Sequence, residues 1–435
     1  MTEQVLRSSI EHLHGPEEVD YEPDELVVVC NVRDGRPYVK SFVEHHFALG
    51  VKHLFFLDNG STDGTVEALK NYDNTTMLRT ELPWKEYELL FKHYLVGRFG
   101  KKDRWCLCVD IDELFDYPYS EVVGLNSFLG YLNSNSYTAV AAQMLDMFSE
   151  EPLSGREGSL QEEPLKERYR FYDISNISRR SIKRRHGRHN NTLENDDIAI
   201  FSSGIRGAIF GDNRTLLTKH PLVFLDGKVK PLHPGTHWVA NAKIADISCV
   251  LLHYKFLDGY FHKQAAQAVR EGQYYNASAR YKRYLEVLDK NPALKMKRES
   301  ARELKGVNDL VENGFLVVSE EYMMMVYQEE ERKGAGGHTP LRGERGGEPE
   351  DEAALYRARA QAKVQSLRAQ RLKRQLKELR EQNQREVERL SRRLARFRKK
   401  NRNLTQQLRI IRASRSWRLL NKLSRIRVRV LGRKG

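Results

Sequence analysis

Three short apolar runs constrain this chain more than any other feature. They are residues 26–30 (LVVVC), 53–57 (HLFFL) and 105–109 (WCLCV). Apolarity unbroken over four or five residues, in the second run from Leu54 on, is what a strand buried on both faces requires, and such strands belong to sheets covered by helices. Between them lie helical patterns. Residues 38–49 place Phe42, Val43, Phe47 and Leu49 at helical spacing, and Gly50 supplies a stop. A helix begins at residues 66–72, residues 76–79 read as a short strand, and residues 86–99 read as a helix. Strands alternating with helices predict an α/β fold with a mostly parallel sheet and right-handed crossovers. In such sheets ligands bind beyond the carboxyl ends of the strands.

Two acidic clusters sit at those ends. The first is Asp58-Asn59 with Asp63, in a loop that also holds Gly60 and Gly64. Glycines there allow tight turns and a close ligand approach, and the carboxylates can accept hydrogen bonds from a base or ribose. The same residues would also serve as plain caps of a turn and helix. The second cluster is Asp110-Ile111-Asp112-Glu113. Carboxylates crowded at a strand end are costly to bury without a cation. Oxygen ligands suit Mg²⁺ or Mn²⁺, and either ion can neutralise a diphosphate leaving group. Asp110 and Asp112 can therefore hold one divalent ion between them; a solvated acidic turn is the alternative.

The run 139–145 (AVAAQML) ends at Asp146, and 250–254 (VLLHY) carries His253 with Lys255 two residues on. On its own residues Asp146 reads as a strand-end turn residue. His253 reads either as a metal ligand or as a core histidine. Lys255 would face a phosphate. Tryptophan faces pack on sugars, which makes His237, beside Trp238, a candidate for orienting one; plain core packing is the alternative.

The stretches VVVCNVRDG, EHHFALGVKHLFFLDNGSTDGT and VDIDELFDYP, all between Leu26 and Pro118, resemble the nucleotide-sugar glycosyltransferases of family 2, which have the GT-A fold. The later motifs GIRGAIFG, KHPLVF, THWVAN and LLHYKFLDGYFHK look like a bacterial sub-family of it, so the resemblance spans roughly residues 24–320. It implies that Asn31, Asp58, Asn59 and Asp63 lie near the nucleotide. It also implies that Asp110 and Asp112 serve the donor and the divalent ion, that His253 completes the metal shell, that Arg206 and Lys219 meet phosphate, and that Asp146, with Glu150 second, is the base. The implied donor is a UDP-sugar, and the implied acceptor an envelope glycan or lipid-linked hydroxyl. The QxxRW motif of processive synthases is absent, which argues against a polymer synthase. A nucleotidyltransferase is the rival enzyme reading, although the segment 31–40 has only Gly35 where that class carries a glycine-rich loop. A non-catalytic coiled-coil scaffold is the rival of another class.

Charge divides the chain. Residues 351–435 hold 28 basic and 6 acidic residues, a net +22, whereas residues 1–350 carry −8. Nucleic acid is not expected, because the excess is confined to the tail and no reader motif accompanies it. The expected organisation is a lead-in (1–23), a transferase domain (24–330), a glycine-rich linker (331–353) and a basic helical tail (354–435). A heptad column runs from Leu355 through Leu376 and Leu390 to Ile411, joined by Val387, Leu394 and Leu408. It predicts homo-oligomerisation through a coiled coil. The arginine-rich end, with Trp417 and Leu420, suits an anionic membrane surface. A basic loop at residues 178–191 is a further candidate for meeting a lipid-linked acceptor. With no apolar leader and no membrane-length run, a cytoplasmic protein, peripheral on the inner face of the plasma membrane, is expected. The four cysteines form no CxxC pair, which fits a reducing compartment.

Overall fold

The computed structural model describes residues 2–154, 164–181, 189–231, 236–272, 275–334 and 349–431. The middle of the basic loop and most of the glycine-rich linker lie outside the described residues. The chain divides into two units, residues 1–368 and residues 369–435.

The first unit is built on one large sheet. Its strands are β1 (Glu11–His14), β2 (Leu26–Val32), β3 (His53–Asp58), β4 (Thr75–Arg79), β5 (Trp105–Asp110), β6 (Glu113–Asp116), β7 (Ala139–Asp146), β8 (Thr192–Leu193), β9 (Thr218–Phe224) and β10 (Lys243–His253). Their order is β1-β4-β3-β2-β5-β9-β7-β10-β8, with β6 pairing on β10. The pairs among β4, β3, β2 and β5 are parallel, as are those joining β7, β10 and β8.

The apolar runs behave as expected of doubly covered strands. Val28 and Cys30 face one apolar cluster while Val27 and Val29 face another. The first face is covered by α1 (Arg36–Leu49) through Phe42 and Val43, and the second by α2 (Trp84–Phe99) through Phe91, Leu95 and Phe99. Gly50 ends α1 at φ 103°, a left-handed conformation that a side chain would strain.

Two features depart from the expected pattern. Residues 1–23 do more than lead in: Leu6 and Tyr21 are buried, and β1 closes the sheet edge against β4. Strand β9 inserts antiparallel between β5 and β7 and contains Pro221. Proline cannot donate to a ladder, and a shift of register between Lys219 and Leu222 accommodates it.

Further elements of this unit are α3 (Leu125–Ser134), α4 (Gly204–Phe210), α5 (Tyr260–Glu271), α6 (Tyr275–Lys290) and α7 (Glu320–Gly334). The long helix α8 (Pro349–Ala413) begins here too. Ala360, Val364 and Leu367 enter the main core at helical spacing, and Arg368 pairs with Asp197 at 2.8 Å. In the second unit α8 continues and is followed by α9 (Arg415–Leu431). There the heptad residues Leu376, Leu390, Phe397, Leu404 and Ile411 are exposed. Among the described residues no helix is long and apolar enough to cross a membrane. All four cysteines are buried and free.

Candidate functional site

Strand register brings the site together. In the sheet Asn31 stands opposite Asp110, and His253 stands between Asp146 on β7 and Glu113 on β6. These strand ends open into a cleft of about 750 Å³. Its walls include Asp34 and Asp63 from the nearby loops, Glu88 from α2, Lys219 from β9, and Lys263 and Gln267 from α5.

Asp110 is held by two ammonium groups. Lys92 Nζ donates to Oδ1 at 2.6 Å and Lys219 Nζ to Oδ2 at 2.9 Å. Lys219 also donates to buried Glu113, at 2.5 Å. Burial alone would raise the Asp110 pKa, but Lys219 and Lys92 outweigh it and hold the carboxyl far below the usual range. For Glu113 burial wins over Lys219, and its pKa is raised. Asp112 Oδ2 lies 3.2 Å from His253 Nε2. Asp112, Glu113 and His253 each offer one ligand atom, all within 4.8 Å of one another. One imidazole and two carboxylates form a donor set suited to Mn²⁺. The grouping differs from the expected one: Glu113, rather than Asp110, shares this space with Asp112 and His253.

Asp146 closes a second buried cluster. Arg206 from α4 donates to both its oxygens, at 2.8 and 2.6 Å, and His253 Nδ1 lies 2.6 Å from Oδ1. Burial would raise the Asp146 pKa; the Arg206 guanidinium and His253 overcome it and hold the carboxyl well below its usual range. A carboxylate so committed is a poor proton acceptor. It does orient His253, with Nδ1 turned to Asp146 and Nε2 to Asp112. Burial pulls the His253 pKa down, yet Asp112 and Asp146 more than compensate and raise it. Glu150 is half exposed, pairs with Lys297 and does not line the cleft.

The donor-side residues divide into two kinds. Asp58 is fully buried and turned into its own loop, accepting from the Gly60 and Ser61 N–H groups at 3.2 Å. Burial raises its pKa. Asn59 Nδ2 donates to the Thr80 and Leu82 carbonyls. Neither residue lines the cleft, so both shape the loop. Asp63 lines the cleft and caps the following turn through Thr65. Asn31 is only 6% exposed and lines the cleft, and among the described residues neither of its side-chain polar atoms has a hydrogen-bond partner. Tyr38 Oη and Trp84 Nε1, also on the cleft, are likewise unbonded. Unpaired buried polar atoms cost stability and are uncommon, so three such residues around one cleft point to a polar ligand. Lys255 lines the cleft and donates to Tyr281 at 2.8 Å; His237 lines it with Nδ1 2.9 Å from the Thr218 carbonyl oxygen.

Lys92 and Glu88 escaped sequence reasoning. Both lie on α2, four residues apart and therefore on one face. Lys92 sits beside the core residue Phe91, and a lysine on an apolar helix face was a readable sign of a buried partner. Burial raises the Glu88 pKa, and no described residue forms a hydrogen bond with it.

No protein-family model matches this chain. It is similar to a glycosyltransferase family 92 protein of Arabidopsis thaliana, 31% identical over 106 residues, covering 24% of this chain and 18% of that one. A family 92 protein of Oryza sativa subsp. japonica is 28% identical over 101 residues, 22% of this chain and 17% of its own. One of Ricinus communis is 28% identical over 126 residues, 27% and 22% of the two chains. The matched stretch thus spans about a fifth of the length of these relatives. They share the class that the motifs resemble, but their family is 92 rather than 2. Among solved structures, a nucleotidyl transferase from Methanothermobacter thermautotroptrophicus overlaps 29% of this chain and 63% of its own, at 11% identity and TM-score 0.18. HddC from Yersinia pseudotuberculosis overlaps 30% and 61%, at 9% identity and TM-score 0.20. Likenesses this slight have no bearing on the function.

Proposed function

We propose that this chain is a glycosyltransferase that moves a sugar from a nucleotide-diphosphate donor to an acceptor hydroxyl with the help of a divalent cation. The observation that carries the reading is the meeting, in one cleft, of the Asp112–Glu113–His253 group with the unbonded polar atoms of Asn31, Tyr38 and Trp84. The similarity to family 92 glycosyltransferases supports the same class.

Asn31 and Asp63 would hold the nucleoside. Asp112 and His253, with Glu113, would hold Mn²⁺ or Mg²⁺, which when bound neutralises charge on the departing diphosphate. Lys219 holds Asp110 and Glu113 in place. Lys255 adds positive charge near Asp112 and faces the phosphates. An acceptor oxygen attacks C1 of the sugar, the C1–oxygen bond to the diphosphate breaks, and the acceptor proton passes to a carboxylate. Glu88 takes that role: it lines the cleft, its pKa is raised, and it is not locked in an ion pair as Asp146 is. A single displacement of this kind inverts C1. A UDP-sugar as donor and an envelope or lipid-linked glycan as acceptor complete the proposal.

The test is nucleotide release from a panel of nucleotide sugars, with and without Mn²⁺. Release of nucleoside diphosphate that depends on the ion is the expected result. Pyrophosphate release would identify a nucleotidyltransferase instead, and no release from any donor would favour a scaffold.

A further inference from the structure

The residues that line the cleft all belong to the first unit, and the second unit has chemistry of another kind. Residues 369–435 contain 24 Lys and Arg against 4 Asp and Glu, a net +20. Helix α9 is a separate element: Ser414 ends α8 and accepts from the Trp417 N–H at 3.2 Å, as a helix N-cap does. Its 17 residues include six basic and eight apolar residues and no acid. Over its first nine residues, at 100° per residue, Trp417, Leu419, Leu420 and Leu423 fall on one half of the helix and Arg415, Arg418 and Lys422 on the other. The four apolar side chains are 42%, 62%, 62% and 57% exposed.

A surface with these two halves needs a partner that is apolar and anionic side by side. A second copy of α9 would bring cations against cations with no acid to offset them. A nucleic-acid backbone would neutralise the arginines but leave the tryptophan and leucines in water. The helix is too short and too charged to span a bilayer. We propose that α9 lies in the interface of an anionic lipid bilayer, its leucine–tryptophan half among the acyl chains and its arginines at the lipid phosphates. This rests on the second unit alone and is independent of the reaction assigned to the cleft.

The experiment is co-sedimentation of the full chain with vesicles of phosphatidylcholine, alone or mixed with phosphatidylglycerol, at low and high salt. Two double variants are compared: Leu420→Asp with Leu423→Asp, and Arg418→Gln with Lys422→Gln. The expected result is binding to the anionic vesicles that weakens with salt, and about a tenfold loss in either variant. The urea unfolding midpoint should stay at the level of the parent chain, which reports an intact first unit. Equal binding to both vesicle types, or retention of binding in both variants, overturns the proposal. So does sedimentation abolished by nuclease, or an oligomer broken by the leucine variant without any affinity for vesicles.

Discussion

Replacing Asp146 with asparagine separates two roles that this residue could fill. In the structure it accepts two hydrogen bonds from Arg206 and lies 2.6 Å from His253 Nδ1. Its side chain is 2% exposed and that of Arg206 4%. Asparagine preserves the volume but leaves a buried guanidinium facing a neutral amide. Removing one partner of a buried pair typically costs about 3–5 kcal/mol, and the retained amide oxygen places this case near about 3 kcal/mol. His253 would also lose the carboxylate that keeps its Nε2 turned toward Asp112. Such supporting carboxylates typically contribute roughly 10- to 100-fold in metal affinity.

The assay is Mn²⁺ binding to the donor-free chain, followed by calorimetry or by the electron paramagnetic resonance of free Mn²⁺, beside urea unfolding of the same protein. The expected outcome is a lower unfolding midpoint together with Mn²⁺ affinity weakened roughly 10-fold or more. Turnover should recover in part at saturating Mn²⁺. If affinity for the ion were unchanged while turnover vanished at every Mn²⁺ concentration, the positioning role would be refuted and Asp146 restored as the base.

Three further hypotheses concern other residues. Asn31→Ala should leave stability unchanged or raised, because an unbonded buried amide is lost, while donor affinity drops about tenfold; unchanged affinity would remove Asn31 from the donor site. Glu88→Gln should lower kcat by roughly 100-fold with little change in the donor KM, and a full-speed variant would end its role as base. His45 is buried, its Nε2 lies 2.6 Å from the Phe115 carbonyl oxygen, and burial pushes its pKa down to about 3. Its folded pKa lies below the unfolded value of about 6.5, so the unfolded state binds the extra proton and stability falls as pH drops from about 6.5 toward about 3. Going from about pH 7 to about pH 5 should cost about 2 kcal/mol through this residue. His45→Gln should flatten that part of the pH–stability curve, and an unaltered slope would contradict the assignment.

The strands were legible because burial on both faces leaves little room for polar residues, and the buried His53 at the start of its strand meets the Thr76 hydroxyl at 2.9 Å. Residues 26–30, 53–57 and 105–109 could hardly be anything else. Strand β9 was not legible as a central strand, since Pro221 argues against one and only the register shift beside it reconciles the two. Leu6 and Tyr21 were hidden for a simpler reason: isolated apolar residues in a polar segment carry no period.

The site was readable at strand ends and opaque elsewhere. Asp112 and His253 stand out in the sequence because each adjoins an apolar run, but their proximity is a matter of register between β10 and its two neighbours. Charge was harder to read. Several carboxylates near one strand end suggest a cation from outside, and a metal ion would meet the whole demand. The chain itself meets much of it. Lys92 and Lys219 serve Asp110, Lys219 serves Glu113, and Arg206 serves Asp146. Those lysines and the arginine come from α2, β9 and α4, at positions well removed in sequence from the acids they neutralise. A count of local acids therefore overstates the case for a metal. What favours one after this correction is narrower and geometric: two carboxylates and one imidazole converge, and the imidazole is held in orientation by a third carboxylate that is already paired.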